Sequence, residues 1–167
     1  MDLLDVIHLK KLRDNWQQVI KTEGGRCPCC DRWGKIYLRN INSSMARALI
    51  WLCQEPVNQF GWIDIPKSAP RWLVQTNQLP TLRWWGLVER AGNEDKKVKH
   101  SGLWRPTDLG RDFFQGITSV PKGVFTYDAT VVAFTDEQVF IHECFDEKFS
   151  YQKVMNGTLA SYQTDEA

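Results

Sequence analysis

Apolar positions change period several times along this chain, and each change marks an element. From residue 3 to 20, Leu9, Leu12, Trp16, Val19 and Ile20 recur at spacings of three and four, one stripe of an amphipathic helix. Its polar face holds Lys10, Lys11, Arg13 and Asp14, and Gly24 and Gly25 end it. The stripe calls for a packing partner, either the core or a second copy of the chain. A short apolar strand is predicted at 35–38. A second helix follows at 42–55, with Met45, Ala48, Leu49, Leu52 and Cys53 on one face, Asn42, Ser43 or Ser44 as cap, and Pro56 as stop. Residues 60–65, FGWIDI, alternate as a small strand does.

The stretch that organises the rest is 70–114. Pro66 and Pro70 bracket the entry to a short helix with Trp72, Leu73 and Val74 as its apolar positions, and 76–78 make a turn. Residues 79–85 are predicted as a second helix, with Pro80 tolerated in its first turn. Leu82 and one of Trp84 or Trp85 point inward, since neighbours on a helix lie about 100° apart. Gly86 ends this helix before Leu87 and Val88 enter a strand. After a polar loop and a second strand, Thr107 stands where an N-cap belongs, with Asp108 in the first turn. Helix, turn, helix, strand, loop and strand in that order are the plan of a winged helix-turn-helix. Beyond Gly116, strands are predicted at 124–127, 130–134 and 139–145, then a short helix capped by Ser150 and closed by Gly157. In the third strand His142 and Cys144 share a face. The tail should be disordered.

Charge qualifies this picture. The chain carries a net +1, yet residues 67–105 hold eight basic side chains against three acidic ones, while 128–167 hold eight acidic against two basic. A local excess of positive charge on a helix-turn-helix and its loop points to nucleic acid. Lys96, Lys97 and Lys99 on the loop would contact phosphates, which position a protein without specifying sequence. Arg71, Asn77, Gln78, Thr81, Arg83, Trp84 and Arg105 complete the candidate nucleic-acid-binding set, with residues 79–85 in the major groove. The outward tryptophan could stack on nucleic acid or sit in a protein interface.

Of five cysteines, Cys27, Cys29 and Cys30 crowd into RCPCCDRWGK. Cys27 and Cys30 form a CPxC pair, in which two thiolates can face one metal while backbone N–H groups point at the sulfurs. No second CxxC exists. A zinc site therefore needs ligands from elsewhere, and His142 with Cys144 are the candidates taken, among Cys29, Cys53 and His100. A reduced turn without metal is the other reading. A redox motif is disfavoured because the pair does not open the helix of a βαβ unit.

The run WWGLVERAG, a polar hairpin and LWRPTDLGRDFF resemble the second half of winged helix-turn-helix regulators of the MarR and PadR kind. The matching residues are Gly86, Leu87, Val88, Glu89 and Arg90, then Thr107, Asp108, Leu109, Gly110 and Arg111. The stretch CPCCDRWGKIYLRNINSSMARALIWL is similar to uncharacterised bacteriophage proteins in which a cysteine knuckle precedes such a core. These resemblances imply a phage transcriptional regulator binding duplex DNA. The long dimerisation helices of MarR-like proteins are missing, so the mode of any homodimer is open.

The expectation is thus an α+β chain in four parts. Residues 1–41 form an N-terminal helix and knuckle, 42–116 a winged helix-turn-helix core, 117–157 a β-rich appendage with a short terminal helix, and 158–167 a disordered tail. The alternative function is a phage-encoded effector or inhibitor gripping a host protein through tryptophans and the acidic C-terminal segment. No GxSxG, phosphate loop or HExxH occurs, and His8, His100 and His142 are the histidines, so no enzyme is expected. No run of eighteen apolar residues exists and the N-terminus is too charged for a signal peptide, which predicts a cytoplasmic protein without a membrane partner.

Overall fold

The computed structural model describes residues 2–93 and 100–145. In chain order it contains α1 (Leu3–Lys21), β1 (Gly25–Arg26), β2 (Trp33–Gly34), β3 (Tyr37–Asn40), α2 (Ser43–Gln54), β4 (Ile63–Asp64), α3 (Ile65–Ser68) and α4 (Arg71–Thr76). A 3₁₀ helix (Leu79–Trp85), β5 (Val88–Arg90), β6 (Leu103–Pro106), α5 (Asp108–Phe114), β7 (Val120–Pro121), β8 (Gly123–Tyr127), β9 (Thr130–Phe134), β10 (Gln138–Val139) and a second 3₁₀ helix (Ile141–Cys144) follow. This is a mixed α+β chain with several small sheets. Among the described residues no helix is long and apolar enough to cross a membrane.

The chain divides into two compact units, residues 2–40 with Gly123–Thr135, and Ile41–Lys122 with 136–145. In the first, β3 pairs antiparallel with β8 and β8 with β9, so β8 and β9 join the N-terminal segment rather than standing with what flanks them in sequence. A bulge between Phe125 and Thr126 shifts the second pairing. The hairpin of β1 and β2 sets Gly25 opposite Gly34. A Cβ on Gly25 would meet Val19, and one on Gly34 would meet Trp16 and Ile20, so the end of α1 lies directly on this glycine pair. Only the C-terminal half of α1 is covered. Ile20 is buried and Leu12, Trp16 and Val19 partly so, whereas Leu3 (73% exposed), Leu4 (72%) and Ile7 (56%) face outward.

The second unit is built around α2. Asn42 caps it by accepting a hydrogen bond from the Met45 N–H (3.0 Å), and the chain turns away at Glu55 before Pro56. Met45, Ala46, Ala48, Leu49, Ile50 and Leu52 are all buried, more than one stripe, because the first 3₁₀ helix, α5 and β6 all pack on it. Strand order in the unit's main sheet is β4-β6-β5, all antiparallel. Residues 60–65 contribute only the two-residue β4, since Asp64 caps α3 through the Lys67 N–H (3.3 Å) and ends the strand. Thr107 caps α5: its hydroxyl accepts from the Gly110 N–H (3.0 Å) and donates to the Gly86 carbonyl (2.6 Å). The unit closes with β7 against β10, where the Trp85 indole N–H donates to the Pro121 carbonyl (2.7 Å).

Two elements differ from their expected form. The predicted recognition helix is a 3₁₀ helix. The predicted third strand, 139–145, is a strand only at Gln138–Val139, after which Ile141–Cys144 is a 3₁₀ turn. The Glu143 carboxylate accepts from the Phe140 N–H (2.7 Å), a local hydrogen bond that competes with ladder pairing. The predicted helix after Ser150 lies outside the described residues.

Candidate functional site

The basic region is built from α4, a two-residue turn and the 3₁₀ helix. Asn77 ends α4 in the left-handed conformation (φ 48°), which asparagine tolerates better than most residues, and its N–H still donates to the Leu73 carbonyl. Gln78 bonds the Thr76 carbonyl through Nε2 (2.9 Å), and the Thr81 hydroxyl donates to the Gln78 carbonyl. The polar groups of Gln78 and Thr81 therefore hold the turn. With three residues per turn, positions i and i+3 eclipse. Leu79, Leu82 and Trp85 accordingly form one buried face, Pro80 and Arg83 an exposed one, and Thr81 and Trp84 lie between them, half-buried. The inward tryptophan is Trp85.

Arg71 and Arg83 are exposed and have no ion-pair partner among the described residues. Arg105 is differently placed. It lies opposite Glu89 across the β5–β6 pairing, its Nε donates to the Glu89 carboxylate (2.5 Å), and its guanidinium sits 4.1 Å from the Trp62 ring centre. Arg90 on the same hairpin stacks over Trp104 at 5.6 Å. Glu89 and Trp62 were missed in the sequence. Only the β4-β6-β5 register brings them to Arg105, with Glu89 as its cross-strand neighbour and Trp62 next to the Ile63–Trp104 pair. Lys96, Lys97 and Lys99 lie outside the described residues.

The cysteines form a separate feature in the other unit. Between β1 and β2 the Cys27 N–H donates to the Arg32 carbonyl (2.8 Å) and the Asp31 N–H to the Cys27 carbonyl (2.9 Å), closing a tight turn. Asp31 is left-handed (φ 58°), and Arg26 spans the turn to its carbonyl (2.9 Å) and carboxylate (3.2 Å). The Cys27 thiol lies below its ordinary range, first because the backbone N–H of Cys29 and then that of Cys30 donate to it. No helix starts at Cys30, which removes the βαβ context of a redox pair.

His142 and Cys144 do not share a strand face, because the residues are in a 3₁₀ turn. His142 stacks on Phe140 at 5.9 Å, and the Cys144 thiol donates to the Phe140 carbonyl (3.7 Å). Burial first, and Glu143 second, push the Cys144 thiol up to about 12. Burial also lifts Cys53 to about 12 despite the opposing charge of Arg111. Among the described residues no three His, Cys, Asp or Glu side chains gather so as to hold a metal ion; Cys27 and Cys30 belong to the first unit, His142 and Cys144 to the second. None of the protein-family models, curated proteins or solved structures compared matches this chain.

Proposed function

We propose that the unit Ile41–Lys122 is a winged helix-turn-helix module that binds duplex DNA as a transcriptional regulator. The observation that carries this reading is the order of its elements with its strand order. A helix (α2), a short strand (β4), two short helices joined by a turn (α4 and the 3₁₀ helix) and a hairpin (β5 and β6) come in sequence, and β6 lies between β4 and β5. In such modules the second helix of the pair enters the major groove while the hairpin loop meets the backbone. Arg71 and Arg83, exposed and without ion-pair partners among the described residues, are the cations best placed for phosphate or base contact. The sequence between β5 and β6 contains Lys96, Lys97 and Lys99. Arg105, engaged with Glu89 and Trp62, orders the hairpin that carries this loop.

Anisotropy of a labelled duplex pool, followed by selection of the bound sequences, tests the reading. Affinity should fall steeply with salt, as counterion release requires. Arg71→Ala with Arg83→Ala should weaken binding by about 1–3 kcal/mol per base-contacting arginine, and less for a phosphate contact. Binding that is unchanged by Arg83→Ala together with replacement of the three lysines sinks the proposal.

A protein partner is the second reading, favoured by the exposed Leu3, Leu4 and Ile7 of α1. It predicts a partner lost on replacing those three by serine while DNA binding is untouched.

A further inference from the structure

We propose that the turn bearing Cys27 and Cys30 is half of a zinc tetrathiolate centre, and that the same turn of a second copy of this chain supplies the other half. One zinc ion would then join two chains. The proposal stands apart from the DNA-binding reading and does not depend on it.

Three observations carry it. The turn has the build of a metal knuckle, since the Cys27 N–H donates to the Arg32 carbonyl (2.8 Å) and the Asp31 N–H to the Cys27 carbonyl (2.9 Å), which closes the CPxC pair into one tight turn at the tip of the β1–β2 hairpin. It is accessible and held in place. Cys29 and Cys30 are exposed and Cys27 half-buried, while Arg26 ties the turn together and the glycine pair seats the hairpin on α1. It is also incomplete. A structural zinc site takes four ligands. Among the described residues of the first unit no three metal-binding side chains gather, and in the second unit the Cys144 thiol donates to the Phe140 carbonyl and His142 stacks on Phe140. The first unit's other nitrogen or sulfur ligands are Cys29, inside the turn itself, and His8 on α1.

A second copy brings two identical thiols, and a two-fold axis through the metal gives a Cys₄ tetrahedron. The zinc ion displaces four thiol protons, two from each chain, leaving a centre of charge −2. Arg26 is paired with Asp31 within each turn, which leaves Arg32, next in sequence, as the cation nearest along the chain to that charge. The CPxC spacing assigns Cys27 and Cys30 as the ligands and leaves the thiol of Cys29 out.

The test uses the full chain, reduced and freed of metal, titrated with zinc or cobalt(II) while light scattering reads the molar mass. The proposal expects uptake to end at one metal per two chains, the mass to double with it, and chelator to reverse both. Cobalt should show the visible spectrum of a tetrahedral tetrathiolate. Cys27→Ser and Cys30→Ser should each abolish uptake and mass change, with the far-ultraviolet circular dichroism unaltered, while Cys29→Ser retains both. One metal per chain, uptake without a rise in mass, no uptake, or equal loss in Cys29→Ser overturns it.

Discussion

Gly110 sets how closely α5 can approach the start of the hairpin, since a Cβ there would collide with the Leu87 backbone. Gly110→Ala should therefore cost about 3 kcal/mol or more, at the upper end of overpacking effects, although alanine is the better helix former. Thr107→Ala should cost about 1–2 kcal/mol, because it removes both the cap on Gly110 and the bond to the Gly86 carbonyl. Urea unfolding followed by circular dichroism measures both. The cysteines separate in the same way. At pH 8 a maleimide should label Cys27, Cys29 and Cys30 quickly, with Cys53 and Cys144 slow until the chain is unfolded, as their thiols are held protonated by burial. The linked effect on stability has a definite sign. The folded-state pKa of Cys53, about 12, lies above its ordinary 9.0, so its contribution is whole below pH 9 and is lost as pH rises toward 12. Cys53→Val should flatten the fall in melting temperature between pH 9 and 11.

At the scale of elements, burial follows period. The sequence placed Leu82 and one tryptophan inward but had no means of choosing between Trp84 and Trp85, since helical spacing allows either. The 3₁₀ geometry chooses, because period three puts Leu79, Leu82 and Trp85 in line. Trp85→Ala should then cost about 3–5 kcal/mol and Trp84→Ala clearly less. The helix α1 makes the converse point. Its periodic stripe was legible, but only the end resting on Gly25 and Gly34 is covered. Ile20→Ala should cost about 2–4 kcal/mol, whereas Leu4→Ser should fall within about 0.5 kcal/mol of zero. Where the alternation of residues 139–145 suggested a strand, Glu143 instead bonds the backbone of Phe140 and the run curls.

For the whole molecule the deciding fact is which segments pair. The chain leaves the first unit after Asn40, builds the second, and returns at Gly123 to complete a sheet begun at Tyr37. The Ile41 N–H donates to the Lys122 carbonyl (2.8 Å), so the first and last residues of the second unit's long segment are bonded to each other. If the basic part of the second unit meets DNA phosphates, replacing Lys96, Lys97 and Lys99 should lower the slope of log affinity against log salt by about one for each lysine in contact. The helix end at Gly86 and the cap at Thr107 were determined by the sequence alone, and the cap of α2 was narrowed by it to Asn42, Ser43 or Ser44, because capping and left-handed turns depend on residues within a few positions of each other. The same locality made the cysteine turn readable. Pairing of β3 with β8 across more than eighty residues, the glycine seat under α1 and the Arg105–Glu89–Trp62 cluster were decided only by the tertiary structure. Each joins residues far apart in the chain, and hydrophobic burial, which is non-directional, leaves no pairing signal in a single sequence.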